Sequence, residues 1–191
     1  MMLLVSYLIG SLPFGLLITR AMALGDIRKV SSGNIGAANA MRMGGLRVGL
    51  IVVILDMLKG FVAAYLGWRL DGATFGALCG LFAIIGHCFP VWLKFKGGKG
   101  VGPLFGVFLA INPLIFVACG ISYLIVALSL RYSSAGSLTA SVVAAILGFA
   151  ISINVGLIMI ATAVIIFCLH HENIKRLING NESKLEWKWK K

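Results

Sequence analysis

Five long apolar runs, separated by short polar segments, dominate the pattern of hydrophobic and polar positions. They cover residues 2–23, 46–68, 73–93, 101–130 and 137–169. The first three are close to the ~20 residues that one helical membrane crossing requires. The last two run to about 30 residues or more. As single helices they would reach about 45 Å, well beyond the ~30 Å hydrocarbon core of a bilayer.

Helix breakers lie near the middle of both long runs. Asn112 and Pro113 interrupt the first, and residues 152–154 interrupt the second. Proline cannot continue a helix and pushes the preceding residue out of the helical region. Splitting both runs predicts an all-α, polytopic integral membrane protein with about seven transmembrane helices and one domain over residues 1–191. Residues 101–111 then span only about 16 Å, which requires local bilayer thinning or a shortened helix buried by its neighbours.

The positions of the basic residues favour seven crossings. Under this count residues 24–45, 94–100, 131–136 and the tail from residue 170 share one side. That side then holds 15 of the 17 lysines and arginines, and the two exceptions are Lys59 and Arg69. Five unsplit crossings would scatter the basic segments over both faces. Because basic loops stay in the cytoplasm, the N-terminus is predicted outside and the C-terminus in the cytoplasm.

Composition supports a membrane protein. Only 12% of the residues are charged and the mean hydropathy is +1.00, more apolar surface than a soluble domain normally buries. The net charge of +11 could indicate nucleic acid, but the basic residues lie at the ends of apolar runs and no nucleic-acid motif is present. The four cysteines lack CxxC spacing and no HExxH occurs. Neither a disulfide nor a metal site is therefore predicted.

A lysine-rich loop at residues 94–100 is the first candidate for chemistry. It places Lys94, Lys96 and Lys99 among three glycines. Such glycines let consecutive N–H groups point at one anion, and the lysines add charge that suits a phosphate. The alternative is a basic loop that only fixes membrane orientation. Leu93 stands where the Walker A motif requires glycine, so ATP hydrolysis is not predicted.

Three further polar segments fall on the same predicted side. The first large loop contains Ser32, Asn34 and Arg42, and an arginine can bind phosphate through two hydrogen bonds. Residues 131–137 are rich in small hydroxyl side chains, and His170 begins the tail. Each segment alone could be a helix cap or a solvated turn. Four of them on one face predict a converging anion site.

Charge inside the membrane points to an ion pair. Asp56 and Lys59 lie three residues apart in the second apolar run and so share one helical face. Charged side chains at this depth are expected to pair. His87 either packs below the lysine-rich loop or contacts a substrate. The tail predicts an interfacial helix that ends in an aromatic and basic anchor at residues 187–191.

Several longer motifs resemble those of a known family. They are SGNIGAANAMR at residues 32–42, GHCFPVWLKFKGGKGV at residues 86–101 and HHENIKRLING at residues 170–180. GSLPFG at residues 10–15 and DMLKG at residues 56–60 also match. In order and spacing these motifs resemble the bacterial acyl-phosphate:glycerol-3-phosphate acyltransferases, which are integral to the membrane. One departure is Ala38, where the family usually has threonine.

The resemblance implies an enzyme that transfers a fatty acyl group from acyl phosphate to the sn-1 hydroxyl of glycerol 3-phosphate. The implied products are lysophosphatidic acid (1-acyl-glycerol 3-phosphate) and inorganic phosphate, at the start of phospholipid biosynthesis. By position, the residues implied in catalysis are Ser32, Arg42, Lys99, His170 and Asn173. Those expected to bind substrate are Asn34, Gly97, Gly98, Gly100 and Ser137. Glu172 is implied to be structural.

The expected partners are acyl phosphate, glycerol 3-phosphate and membrane lipid. No cofactor, metal or nucleic acid is expected. Coenzyme A and acyl carrier protein are not expected either, because no soluble domain is present to bind them. None of the three histidines is followed by aspartate five residues later, so the HxxxxD base of other acyltransferases is absent. The expected location is the bacterial plasma (inner) membrane, with the active site facing the cytoplasm.

Two questions remain open from the sequence: the proton acceptor and the function class. The proton of the attacking hydroxyl could pass to His170 or to a phosphate oxygen of the acyl donor. A transporter for a phosphorylated metabolite would also use basic loops near broken helices, and a non-enzymatic membrane anchor is a third function class. A shared pocket requires residues 34 and 98 to lie on the same face of the membrane.

Overall fold

The computed structural model describes residues 1–30 and 33–185, and all the regular structure in these ranges is helical. The α-helices are α1 (Met2–Gly10), α2 (Phe14–Ala21), α3 (Ala37–Cys88), α4 (Val101–Ile111), α5 (Pro113–Leu130), α6 (Ser133–Gly148), α7 (Ile153–Leu169) and α8 (His171–Ile178). Short 3₁₀ turns occupy Ile27–Lys29 and Val91–Leu93. The predicted all-α class is confirmed. The predicted anchor at residues 187–191 lies outside the described residues.

Helix α3 is a hairpin of two antiparallel arms. Asp71 and Gly72 leave helical geometry between the arms, and Gly72 has a φ of 68°, a conformation that glycine adopts without strain. Asp56 of the first arm (residues 37–70) contacts His87 of the second arm (residues 73–88). The sequence placed a boundary at this point, between its second and third apolar runs. A further bend at Gly45, with a φ of 81°, interrupts the first arm.

Side-chain caps mark the breaks in the two long apolar runs. The Asn112 side-chain oxygen accepts hydrogen bonds from the N–H groups of Leu114 and Ile115 and starts α5, with Pro113 in its first turn. The Ser152 hydroxyl accepts from the N–H of Val155 and starts α7. Such caps satisfy N–H groups that have no partner within the helix. Both predicted break positions are confirmed.

Three helical stretches of the described chain are long and apolar enough to cross a membrane. They are Met2–Ala21, Ala37–Leu93 and Pro113–Leu130. A fourth results if Ile153–Leu169 and His171–Ile178, which are bent by 63° relative to each other, count together. Helices α4 and α6 are shorter. The chain is thus a helical protein with membrane-spanning segments, whereas the count of seven and the orientation stay predictions.

Glycines bring the short helix α4 into backbone contact with α3. A Cβ atom on Gly60 would collide with the carbonyl oxygen of Pro103, and one on Gly106 would collide with that of Met57. Small residues allow membrane helices to approach in this way. Phe108 of α4 is fully buried in the main core. Of the two explanations offered for so short a segment, burial by its neighbours is the one observed.

We expect Gly106→Ala to lower the free energy of unfolding by about 1–3 kcal/mol, the usual effect of overpacking a close contact. The added methyl group would meet the Met57 carbonyl oxygen. Denaturation of the detergent-solubilised protein measures the change. Gly120→Ala is the matched control, because no atom lies within 4 Å of its added Cβ. An equal loss in both variants would contradict the contact as the cause.

Candidate active site

One cavity collects most of the polar side chains singled out by the sequence. Its volume is about 460 Å³. Six of the ten predicted site residues line it: Asn34, Arg42, Lys99, Ser137, His170 and Asn173. The rest of the wall is mainly apolar and includes Leu50, Val53, Phe105, Phe116 and Leu124. The cavity therefore joins a basic, hydrogen-bonding end to an apolar channel.

The lysine-rich loop is attached to the end of α3 through its glycines. The N–H of Gly97 donates to the carbonyl oxygen of Cys88, and the N–H of Gly98 donates to that of His87, both at 3.0 Å. These two amides are engaged within the protein. The predicted contact between the backbone of residues 97–100 and an anion therefore does not extend to these two N–H groups.

The glycines of this loop serve close packing. A Cβ atom on Gly98 would collide with Nε2 of His87, and one on Gly97 would collide with a carbonyl oxygen. Gly100 has a φ of 84° and immediately precedes α4, which favours glycine there. Of this stretch, Lys99, Val101 and Gly102 line the cavity. The three glycines support the wall that carries Lys99, and their role in substrate binding stays a prediction.

Lys99 is the cation at the centre of the polar end. Its ammonium group donates to the Oδ1 atom of Asn173. Burial lowers the pKa of Lys99. The positive charges of Arg176 and Arg42 act in the same direction, whereas the carboxylate of Glu182 opposes them. Lys99 therefore has a neutral hydrogen-bond partner and a charge that an anionic ligand could neutralise.

His170 lies just beyond the last residue of α7 and is 3% exposed. Its Nδ1 atom is 2.8 Å from the carbonyl oxygen of Ile166. Because a carbonyl oxygen only accepts, the proton of the neutral ring lies on Nδ1 and the lone pair on Nε2. Burial, with the nearby charge of Lys99, lowers the pKa of His170 to about 4 despite that hydrogen bond. The ring is therefore neutral at pH 7.

The first loop is fixed by asparagines and ends beside the cavity. The Asn34 side-chain oxygen accepts from the N–H of Gly36 at 2.8 Å, and Asn34 lines the cavity. Nδ2 of the buried Asn39 donates to the carbonyl oxygens of Ile27, Val30 and Asn34. This network sets the entry of the chain into α3, and hence the position of Arg42. Ser32, which the sequence assigned to catalysis, lies outside the described residues.

Helix α6 contributes hydroxyl groups to the same end of the cavity. Ser137 is 6% exposed, and its hydroxyl donates to the carbonyl oxygen of Ser133 at 2.9 Å. Ser134, one turn from Ser137, also lines the cavity. Its hydroxyl donates to Glu182 at 2.9 Å. As predicted, this segment lines the same cavity as Lys99.

The buried charges of α3 form an ion pair below the lysine-rich loop. Nζ of Lys59 lies 2.8 Å from Oδ1 of Asp56 and donates to the carbonyl oxygen of Leu12. Nδ1 of His87 lies 3.5 Å from the same carboxylate oxygen. The predicted ion pair is confirmed. His87 supports the loop through contacts with Gly98 and also lines the cavity.

The sequence missed Glu182, an acid of the tail that lies in this basic site. Its side chain is 6% exposed. Oε1 accepts from Asn173 Nδ2 at 2.7 Å and from Ser134 at 2.9 Å, and Oε2 accepts from Arg176 Nε at 2.7 Å. Burial raises the pKa of Glu182, but these hydrogen bonds outweigh burial and hold it below its ordinary value. Glu172, by contrast, is 57% exposed.

The only sequence signal for Glu182 is that acids are rare. The chain has six acidic residues, and this one lies in a strongly basic tail. An acid among such cations normally indicates a solvated surface pair. Its contact with Ser134, 48 positions away in sequence, depends on how the tail folds back.

Comparisons with known proteins agree with one another. The family model described as glycerol-3-phosphate acyltransferase matches residues 1–180. A glycerol-3-phosphate acyltransferase of Sinorhizobium fredii is 44% identical over 180 residues, covering 94% of this chain and 88% of that protein. One from Wolbachia pipientis is 41% identical over 184 residues, covering 95% and 96%.

Solved structures give the same result. The crystal structure of PlsY, an integral membrane glycerol 3-phosphate acyltransferase, in its glycerol 3-phosphate form has a TM-score of 0.92 and 35% identity. The lysophosphatidic acid form of that protein has a TM-score of 0.89 and 34% identity. Both matches cover 97% of this chain and 94% of the other.

We expect Gly98→Ala to weaken glycerol 3-phosphate binding by about tenfold or more, since overpacking costs about 1–3 kcal/mol and about 1.4 kcal/mol corresponds to tenfold. The new methyl group would displace the loop from His87 and move Lys99. Thermal stabilisation by glycerol 3-phosphate measures the binding. His87→Ala in the same chain should restore part of it. A double variant no better than Gly98→Ala would show that the ring is not the obstacle.

Proposed function

Because the chain belongs to the glycerol-3-phosphate acyltransferase family, we propose that it transfers a fatty acyl group from acyl phosphate to the sn-1 hydroxyl of glycerol 3-phosphate. The products are lysophosphatidic acid and inorganic phosphate, in the first acylation of phospholipid biosynthesis. Family membership makes the chain an acyltransferase. It sets aside the transporter and membrane-anchor hypotheses.

The observation that carries the proposal is the composition of the cavity. Its polar end brings together cations and hydrogen-bond donors, and the remaining wall is largely apolar. Glycerol 3-phosphate and the head of the acyl phosphate need the polar end, whereas a fatty acyl chain needs the apolar channel. One cavity with both characters suits a reaction between a water-soluble anion and a lipid.

The proposed catalytic set combines charge with orientation. It consists of Ser32, Arg42, Lys99, His170 and Asn173. Arg42 and Lys99 hold the two phosphates, which brings the sn-1 hydroxyl within reach of the acyl carbon. Positive charge also stabilises the negative charge that develops during attack. The supporting observation is that Lys99 and Arg42 line one end of the same cavity.

The bonds and protons balance without a cofactor. The hydroxyl oxygen forms an ester bond to the acyl carbon, and the bond from that carbon to the bridging phosphate oxygen breaks. Acyl phosphate is a mixed anhydride and therefore already activated. Its phosphate leaves with the bonding electron pair and takes up the hydroxyl proton.

A phosphate oxygen is the better proton acceptor. The pKa of His170 is lowered to about 4, whereas the departing phosphate gains negative charge, and with it basicity, as its bond to the acyl carbon breaks. A base is most effective when its pKa lies near the working pH. We therefore assign His170 to substrate binding through its Nε2 atom, and proton transfer to the acyl donor.

We propose that the chain is a single domain with seven crossings in the bacterial inner membrane, and that its active site faces the cytoplasm. The distribution of basic residues supports this orientation. We also propose that acyl phosphate is the donor without coenzyme A or acyl carrier protein, as the motifs shared with the family imply.

The direct experiment uses purified protein in detergent with acyl phosphate and glycerol 3-phosphate. Phosphate release should require both substrates and should match the lysophosphatidic acid formed. Acyl coenzyme A in place of acyl phosphate should give no product. Transport or anchoring alone predicts no phosphate release under these conditions.

We expect His170→Gln to retain most of kcat and to raise KM for glycerol 3-phosphate by about tenfold, as the loss of one hydrogen bond of about 1–1.5 kcal/mol would do. Steady-state kinetics measures both constants, and the thermal unfolding midpoint controls for folding. A fall of several orders of magnitude in kcat with an unchanged KM would instead identify His170 as the base.

We expect cysteines replacing Lys29 and Lys96 to react with a membrane-impermeant thiol reagent from the cytoplasmic side. A cysteine replacing Arg69 should react only from the opposite side. All three native side chains are exposed. A Cys168→Ala background removes the one exposed native cysteine of the described chain, because Cys79, Cys88 and Cys119 are buried. Labelling of residues 29 and 96 from different sides would contradict a shared pocket.

A further inference from the structure

The chain beyond Gly180 folds back over the polar end of the cavity. The family match ends at residue 180, and the segment after it contributes Glu182, Ser183 and Leu185 to the cavity wall. Two contacts fix this segment at its far end. Ser183 accepts from Arg42 at 3.3 Å, and the N–H of Leu185 donates to the carbonyl oxygen of Arg131 at 2.7 Å. Between α8 and these contacts, Glu182 is held against the site.

The Glu182 carboxylate determines which way the Asn173 amide points. A carboxylate can only accept, so it receives the Nδ2 donor of Asn173. The Oδ1 atom of the same amide then faces the Lys99 ammonium group, which can only donate. If the amide turned over, two donors would face each other at Lys99 and two acceptors at Glu182. The hydrogen bonds that join Lys99, Asn173 and Glu182 can therefore form with only one orientation of the Asn173 amide.

We propose that Glu182 is a positioning residue for acyl transfer, which fixes Asn173 so that Asn173 holds the Lys99 ammonium group at the anion end of the cavity. This inference rests on the proposed function. Arg176 completes the arrangement by donating to the second oxygen of the carboxylate. Glu182 thereby acts on the substrate through two other side chains.

The contacts of Glu182 distinguish a positioning role from that of a carboxylate that occupies the substrate site. Within the described chain the hydrogen-bond partners of the Glu182 side chain are Ser134, Asn173 and Arg176. Lys99 and His170, which we assign to the substrate, are not among them, and the tail contacts Arg42 through the Ser183 hydroxyl at 3.3 Å. The carboxylate therefore leaves Lys99 and His170 available. A carboxylate that only competed with substrate would have to bind these groups.

Glu182 also supplies negative charge near Lys99. The charged and titratable groups around Lys99 are Arg42 from α3, His170 after α7, Arg176 from α8 and Glu182 from the tail. The two arginines disfavour the protonated form of Lys99, and Glu182 favours it. Replacing the carboxylate with a neutral amide should therefore lower the pKa of Lys99. The basic limb of the pH profile of kcat/KM should then move to lower pH.

The test compares Glu182→Gln with Glu172→Gln. Both remove one negative charge, but Glu172 is exposed and pairs with Lys175 at the surface. We expect Glu182→Gln to lower kcat/KM for glycerol 3-phosphate by about 10- to 100-fold, the range for hydrogen bonds to charged groups, and to shift the basic limb downward. Glu172→Gln should leave both unchanged. Equal behaviour of the two variants would overturn the proposal, as would a lower KM in Glu182→Gln, which indicates a competing tail.

A double-mutant comparison tests whether Glu182 acts through Asn173. If it does, Glu182→Gln should add little to the loss caused by Asn173→Ala, whereas independent effects would multiply. Multiplying effects would overturn the positioning role. Glu182→Asp keeps the charge and guards against misfolding of the amide variant. Its basic limb should stay near that of the unmodified protein, and a shift as large as in Glu182→Gln would overturn the role of charge.

A binding measurement keeps this inference separate from the proposed reaction. Glycerol 3-phosphate should stabilise the unmodified protein and Glu172→Gln against thermal unfolding, and should stabilise Glu182→Gln much less. This readout needs no acyl donor. Absence of phosphate release by the unmodified protein would refute the proposed reaction, whereas equal stabilisation of all three proteins would refute the role of Glu182.

Discussion

The hydrogen bonds between the lysine-rich loop and the end of α3 determine the geometry of the polar end. Two consecutive glycines of the loop donate to carbonyl oxygens of α3 at 3.0 Å, an approach that any side chain at these positions would prevent. Because the backbone itself holds the loop, Lys99 does not need an acidic partner to reach the cavity. Its charge remains available for a ligand. The conformational freedom of glycine therefore serves the site indirectly, through the placement of one ammonium group.

Acidic side chains pair with cations at structural positions and not with the cations that we assign to the substrates. The chain carries a net charge of +11, and three of its few acids neutralise cations at structural positions: Asp56 with Lys59, Asp26 with Arg28, and Glu182 with Arg176. The cations that we assign to the substrates have neutral partners instead. Lys99 donates to an amide oxygen and Arg42 to a hydroxyl. Charge that is held away from water requires compensation, and at the partly buried Lys99 a phosphate can provide it.

Local patterns predicted the features that depend on neighbouring residues. Asn112 and Ser152 cap helices where the sequence placed breaks, and Asp56 meets Lys59 because three residues make nearly one helical turn. The role of Glu182 could not be predicted in this way. It depends on a reversal at Gly180, where φ is 69°, and on partners from two helices. The direction of the Gly98 N–H group was equally hidden, since glycine content shows that a backbone can bend but not towards which acceptor.

The apolar part of the cavity has a consequence for product release. Leu50 and Leu124 line the cavity and are also 50% and 52% exposed, so the apolar wall of the cavity reaches the outer surface of the helices. Moving a saturated chain of fourteen methylenes from an apolar environment into water would cost about 11 kcal/mol, at about 0.8 kcal/mol per methylene. A lysophosphatidic acid that leaves sideways keeps its chain in an apolar environment throughout. Its phosphate must then separate from Arg42 and Lys99, the cations that we assign to it. The position of Lys99 therefore affects both substrate binding and product release. The ammonium group that binds the phosphate of glycerol 3-phosphate must also release that phosphate in the product.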